Sequence, residues 1–453
     1  MIASTFVNEL LKGVKLKNLV REYIGIESKK DTILKRLITK YKNKAKKLDI
    51  EFKWNQLPRQ ELEACGLDDA WQALRLWQYF KTQIQPFYKT YLFEKQVCRV
   101  VVWMMSNKVL IDRDYVKRMH DIYSRNVEIY YKKIQEYLKE VGYKGWETVR
   151  LHPQVKINGL KDVIQFLKLE TGYTKPSQRF PIGQLASDAK SLAKYFDHPF
   201  VQLLNRYRFY VKHDTTYYGS LYRKYTTDKN WYAIFMCYQT GAKTGRFTYE
   251  LFQTFPRAGE SKRTDEKHEV RKCVIPGNDR EIWCFDEDQE EARVFASFSN
   301  CERMLYYFRN DIDVYVGGSW DIFGEEFIKS LDKDTQKIYR QIAKKPTLGI
   351  TYGEGEAKLL WSLTVEIQES VPKEIWEQLG LDQKKAAEIL QIYHEKYPEI
   401  RPYMQEKIKQ VYKDGGIMLD LHSDRMDIHR FYHIANDKAY IAVNKEVQGC
   451  LDG

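Results

Sequence analysis

Arg340, Lys344, Leu348 and Tyr352 recur at four-residue steps in the segment Arg340-Gln-Ile-Ala-Lys344-Lys-Pro-Thr-Leu348-Gly349-Ile-Thr-Tyr352-Gly353. A four-residue step returns to the same face of an α-helix, so this spacing lays two cations, an aliphatic side chain and a phenol along one line. A helix that presents an arginine fork and an ammonium side by side is suited to a polyphosphate. Pro346 sits inside the pattern, where it removes one backbone donor and favours a kink. Upstream lies the run Glu281-Ile-Trp-Cys-Phe285 followed by Asp286-Glu287-Asp288-Gln289-Glu290-Glu291-Ala292-Arg293. An apolar run that ends abruptly in acids predicts a buried strand delivering a carboxylate to a site. Carboxylates hold divalent cations, and divalent cations serve phosphoryl transfer.

The 453 residues allow two to four domains, and 43% hydrophobic composition is ample for a real core. A net charge of +12 with 30% charged residues spreads a modest basic excess over a large surface, which suits a polyanionic partner. Thirty-three Tyr and ten Trp supply stacking surfaces for bases as well as core packing. Seven cysteines at 65, 98, 237, 273, 284, 301 and 450 form no C-x-x-C pair and no zinc-ligand spacing, so reduced thiols in a cytoplasm are expected. Neither a secretory leader nor a membrane-spanning run is visible, and no membrane partner is expected.

Residues 29–47 carry nine basic residues against one acid, with apolar residues at helical spacing, which predicts a basic amphipathic helix. Residues 54–82 read as two short helices with Pro58 near the first start. Long helical patterns follow from about 83 to 145, and breaks at Pro153, Gly159, Gly172, Pro176 and Pro181 predict an arm between domains before helical periodicity returns. From 232 onward shorter apolar runs begin an α+β part. Residues 301–400 read as mainly helical, and the segment 415–431 reads as a hairpin before a final helix.

The ordered motifs resemble family A DNA polymerases. The acid run is similar to the family's D-Y-S-Q-I-E-L-R, and the helix is similar to R-x3-K-x3-φ-G-x2-Y-G. In the same order as in the family, Thr244-Gly245-Arg246 resembles T-G-R, Leu251-Phe-Gln253-Thr-Phe-Pro256 resembles N-L-Q-N-I-P, and Val270-Arg271-Lys272 resembles I-R-K/R. Further on, Asp313-Val314-Tyr315 resembles D-I-H, and Ala442-Val443-Asn444-Lys-Glu-Val-Gln448-Gly449 resembles A-x-N-x3-Q-G. The resemblance implies an α+β, mainly helical right-hand polymerase. It divides the chain into the helical tail of a 3′-5′ exonuclease domain (1–82), thumb and connecting helices (83–230), palm (231–300), fingers (301–400) and returning palm (401–453).

It also implies roles. Asp286 and the backbone carbonyl of Glu287 would hold metal, with two Mg²⁺ as cofactors, and Asp286, Arg340 and Lys344 would be the catalytic set. Glu287, Gln289, Glu291, Tyr315, Arg340, Lys344, Leu348 and Tyr352 would line the dNTP, Glu291 lying under the sugar and disfavouring a 2′-hydroxyl. Arg246, Gln253, Arg271, Asn444 and Gln448 would contact primer-template DNA. Tyr315 stands where the family often has a triphosphate-contacting His, Leu348 where it has Phe or Tyr, and Tyr440 where it commonly has Arg.

The family's H-D-E motif, which supplies the second metal-binding aspartate, follows the Q-G element, whereas the sequence stops at Gly453. His422-Ser423-Asp424 precedes Asn444 and does not replace it. Residues 65–76 resemble the end of the exonuclease domain, with Asp69 as its last metal carboxylate and the earlier acids expected upstream. The resulting expectation is a split polymerase of viral or phage type, working in a bacterial host cytoplasm, with one partner chain carrying H-D-E and another carrying the exonuclease front. A polymerase-derived subunit that clamps primer-template without chemistry stands as the alternative.

Overall fold

The computed structural model describes residues 2–7, 15–26, 30–151, 158–171, 185–188, 191–192, 195–225, 231–233, 236–239, 246–261, 264–353, 359, 363, 371, 373–380, 382–422 and 427–452. Asp112 begins the longest helix by accepting a hydrogen bond from the Tyr115 amide, which satisfies one of the donors that a helix start leaves open. That helix, α6 (Arg113–Glu140), is preceded by α1 (Ile2–Val7), α2 (Leu16–Ile24), α3 (Lys30–Lys47), α4 (Arg59–Gln83) and α5 (Tyr88–Asn107). The basic helix expected over 29–47 is α3. The two helices expected over 54–82 are instead one 25-residue helix after a 3-10 turn at Trp54–Gln56. Gly66 lies mid-helix, and its cost of about 1 kcal/mol is too small to break a helix anchored through Leu76 and Phe80.

After α7 (Leu160–Phe166), helix α8 (Pro199–Val211) runs into a π-helical stretch, Lys212–Tyr218, and packs along α6. Of the breaks expected near 150–187, Gly159 caps α7, while Pro153, Gly172, Pro176 and Pro181 lie outside the described residues.

The expected strand before the acids is not present. Residues 281–287 have no strand assignment, and Trp283 and Phe285 are 72% and 88% exposed. An apolar run becomes a strand only against a neighbouring strand, and no strand pair among the described residues includes this segment.

Helices then follow closely: α9 (Glu290–Ser299), α10 (Glu302–Arg309), α11 (Val314–Phe323), α12 (Glu325–Ser330), α13 (Lys333–Thr351), α14 (Lys373–Leu379), α15 (Gln383–Lys396) and α16 (Ile400–Asp414). The expected hairpin is β1 (Gly416–His422) paired antiparallel with β2 (Asp427–His433), from Gly416 opposite His433 to His422 opposite Asp427. Ser423 and Asp424 lie outside the described residues. The final helix is α17 (Ala442–Asp452). The chain is thus mainly helical with small antiparallel pairs, as the α+β reading required.

Two contacts tie distant parts together. Arg430 of β2 donates to Glu94 of α5 at 3.0 Å, with both side chains buried, and the Thr90 hydroxyl bridges the His429 backbone. One core, containing Phe295, Tyr307, Ile342, Tyr393 and Val447, joins α9, α10, α13, α15 and α17. Within it the glycines of α11 let it pack against two neighbours, Gly318 against α13 and Gly317 against α10. A Cβ on Gly318 would lie 2.8 Å from the Thr347 hydroxyl of α13, and one on Gly317 would lie 2.5 Å from the Tyr307 ring.

Candidate active site

Glu291 sits in the first turn of α9, where the open amides of a helix start favour a carboxylate. Three side chains from three other segments converge on it. The Gln448 amide donates to Oε1 at 2.7 Å, the Tyr352 hydroxyl donates to Oε2 at 2.7 Å, and the Arg246 guanidinium makes a short contact to Oε1. Burial alone would raise the Glu291 pKa, but the bonds from Tyr352, Gln448 and Arg246 outweigh it and hold the carboxyl below the ordinary glutamate value. Tyr352 is pushed upward, first by burial and then by the adjacent Glu291 charge, and stays a neutral donor.

A second cluster surrounds Arg340. Asp332 caps α13 by accepting from the Asp334 and Thr335 amides, and the helix runs unbroken through Pro346. Thr347 donates to the Ala343 carbonyl and pairs with the Tyr393 hydroxyl, which anchors the turn carrying the proline. Arg340 and Lys344 are partly exposed on one side. The guanidinium donates to Asp313 Oδ2 through Nε at 3.1 Å and through a terminal nitrogen at 2.6 Å. The other Asp313 oxygen caps α11, accepting from the Tyr315 and Val316 amides. Gln289 joins this cluster to the acid run, donating to Asp313 and accepting from the Val314 amide at 2.9 Å. Among the described residues no carboxylate pairs with Lys344.

Asp286 and Glu287 are exposed just before α9. Neighbouring Asp288 is engaged by Gln289 and lies 3.8 Å from Arg293. These acids belong to one segment, and no group of three metal-capable side chains occurs among the described residues. They offer one side of a hard-cation site and fall short of the set that two ions need.

The remaining expected DNA contacts are placed differently. Gln253 accepts from the Tyr249 amide, and Arg271 donates to the carbonyls of Phe255 and Pro256, so these bonds hold the 249–256 segment instead of engaging Glu291. Asn444 lies one helical turn before Gln448 on α17, half-buried. Leu348 is half-buried against the core. Thr244 and Gly245 lie outside the described residues. Asp69 is exposed on α4 and takes no part in the site. Asp313 was absent from the sequence candidates. It appeared only as the first residue of the D-I-H-like motif, without a role, and only the fold brings it to Arg340.

The family model for DNA polymerase family A matches residues 124–451, well over half of the chain. The chain belongs to DNA polymerase family A. Among the similar family A members, the DNA polymerase I of Caldicellulosiruptor bescii is 26% identical over 357 residues, 75% of this chain and 38% of that protein. The DNA polymerase I of Bacillus caldotenax is 27% identical over 328 residues, 70% of this chain and 34% of that protein. The chain therefore spans little more than a third of the length of these relatives. The POL domain of Pol1 from M. smegmatis, solved in complex with DNA primer-template and dNTP, superposes with a TM-score of 0.65 over 99% of this chain and 68% of that one at 17% identity. The family A polymerase fold accounts for the mainly helical architecture, and no described helix is long and apolar enough to cross a membrane.

Proposed function

We propose that this chain carries the site for template-directed DNA synthesis, in which the 3′-hydroxyl of a primer attacks the α-phosphate of an incoming dNTP. The observation that carries the reading is the convergence of Arg246, Tyr352 and Gln448, from three separate segments, on the Glu291 carboxylate beside the Arg340 and Lys344 helix. Glu291 and Tyr352 form a fixed floor that would exclude a 2′-hydroxyl. Arg340 would exchange its Asp313 partner for the outer phosphates, and Lys344 would neutralise charge beside it. Arg246, Gln448 and Asn444 would turn to the minor groove of the primer terminus, which presents base acceptors common to all pairs.

Asp286 and the Glu287 carbonyl would hold Mg²⁺, which on binding lowers the pKa of the attacking hydroxyl and offsets charge on the phosphate. The reading assigns the other carboxylate of a two-ion site to a further segment or chain. That piece would carry the H-D-E motif that the family resemblance implies. In this reading 83–230 form the thumb, 231–300 and 401–453 the palm, and 301–400 the fingers, with 1–82 the exonuclease-like tail.

The test is primer extension by the chain reconstituted with that piece, comparing wild type with Asp286→Ala. Loss of synthesis with unchanged duplex binding is the expected result. Retained synthesis by the variant would refute the assignment.

A further inference from the structure

Tyr315 is the second residue of α11 and only 6% exposed, yet its ring faces both cations of α13. The Arg340 guanidinium carbon and the Lys344 ammonium each lie 5.2 Å from its centroid. These distances fall within the range in which the negative face of an aromatic ring attracts a cation. Two like charges on successive helical turns repel, and a phenol between them offsets that repulsion without adding a charge. The close approach of α11 and α13 at Gly318 places the ring there, and Asp313, two residues earlier, holds the edge of the same guanidinium. The Tyr315 hydroxyl makes no hydrogen bond to a described residue. Burial, and then the charges of Asp313 and Glu291, push its pKa up to about 12, so it stays neutral.

Resting on the polymerase reading above, we propose that Tyr315 is a positioning residue whose ring face sets the spacing of Arg340 and Lys344 so that both meet one triphosphate. The ring does the work and the hydroxyl is dispensable. Specificity for a triphosphate over a monophosphate then depends on a ring that holds the two cations at a fixed spacing.

The test measures binding of Mg²⁺·dTTP and of dTMP to the full chain, without turnover, in wild type, Tyr315→Phe, Tyr315→Leu and Tyr315→Met. Tyr315→Phe is expected to bind dTTP within about twofold of wild type. The two aliphatic variants are expected to lose about tenfold in dTTP affinity, the size of one or two cation–ring contacts, while dTMP and primer-template affinities stay unchanged. Met approaches the volume of the ring and preserves the test if Leu weakens folding.

Aliphatic variants that bind dTTP like wild type would overturn the proposal, as would a Phe variant that loses as much as Leu, or equal losses for dTTP and dTMP. Wild type failing to bind dTTP would overturn the polymerase reading itself, which separates that failure from one confined to Tyr315.

Discussion

Replacing Glu291 by Ala removes the acceptor shared by Arg246, Tyr352 and Gln448. The Glu291 side chain is 31% exposed and that of Arg246 49%, so screening reduces their ion pair to about 0.5 kcal/mol. The Tyr352 and Gln448 bonds point to the sheltered side and end on a charged acceptor, each about 1.5 kcal/mol at the low end of that class. The total is about 3 to 4 kcal/mol. Glu291→Gln keeps the shape, an oxygen for Arg246 and Gln448, and an amide that can donate to the Tyr352 oxygen, losing only charge assistance, about 1 to 2 kcal/mol.

A chain of several cores does not unfold in one step, so local amide exchange is the suitable assay. Peptides covering 290–299, 339–353 and 442–449 should exchange over about a hundredfold faster in the Ala variant and about tenfold faster in the Gln variant, at 1.4 kcal/mol per decade. Because the folded Glu291 pKa is held below its ordinary value near 4.5, the stabilisation is present above that value and lost as pH falls through the folded one. The gap between wild type and Glu291→Gln should therefore be full at neutral pH and close in acid. An Ala variant that exchanges like wild type at neutral pH would show that the cluster is not a structural floor.

Burial pushes the His213 imidazole down from 6.5 to about 4, with His268 and Lys212 adding to the fall, while its Nδ1–H donates to the Phe209 carbonyl. The unfolded chain takes up this proton first, so stability around α8 should decline from about pH 6.5 to pH 4 by on the order of 3 kcal/mol. Amide exchange across 199–218 in wild type and His213→Gln checks it, the variant lacking that decline. In the Glu94–Arg430 pair, Arg430→Met leaves the buried Glu94 charge with only the Gln239 amide as a partner and should cost about 3 kcal/mol, whereas the double variant with Glu94→Gln should recover much of it. Exchange in the 416–433 hairpin reports both.

What the sequence made legible was local or periodic. The four-residue step of Arg340, Lys344, Leu348 and Tyr352 dictates a helix, and α13 realises it through Pro346 because Thr347 and the packing of α11 anchor that turn. The hairpin read over 415–431 is present as the pair spanning 416–433. The partners of these elements were not legible. Nothing near Arg340 names Asp313, and nothing near Glu94 names Arg430, since such pairs are created when helices pack. Motif order nominated Arg246, Glu291, Tyr352 and Gln448 one by one, but the convergence of the other three on Glu291 is a property of the fold.

The acid run shows the same division within one segment. Carboxylate chemistry belongs to single residues, so Asp286 could be nominated by aligning one short motif to the family pattern. Strand formation is a relation between two segments, so the apolar residues before it predicted burial that the described neighbours do not supply. Trp283 and Phe285 stack on each other, with centroids 6.5 Å apart, and remain largely exposed. Covering either ring would contribute about 1.5 to 3 kcal/mol, which makes this run a place where a packed neighbour gains stability. Asp286 follows Phe285 directly, so whatever orders the aromatic pair also fixes the carboxylate. In the proposed reading, the position of the Asp286 carboxylate would thereby be coupled to the burial of two side chains that carry no chemistry of their own.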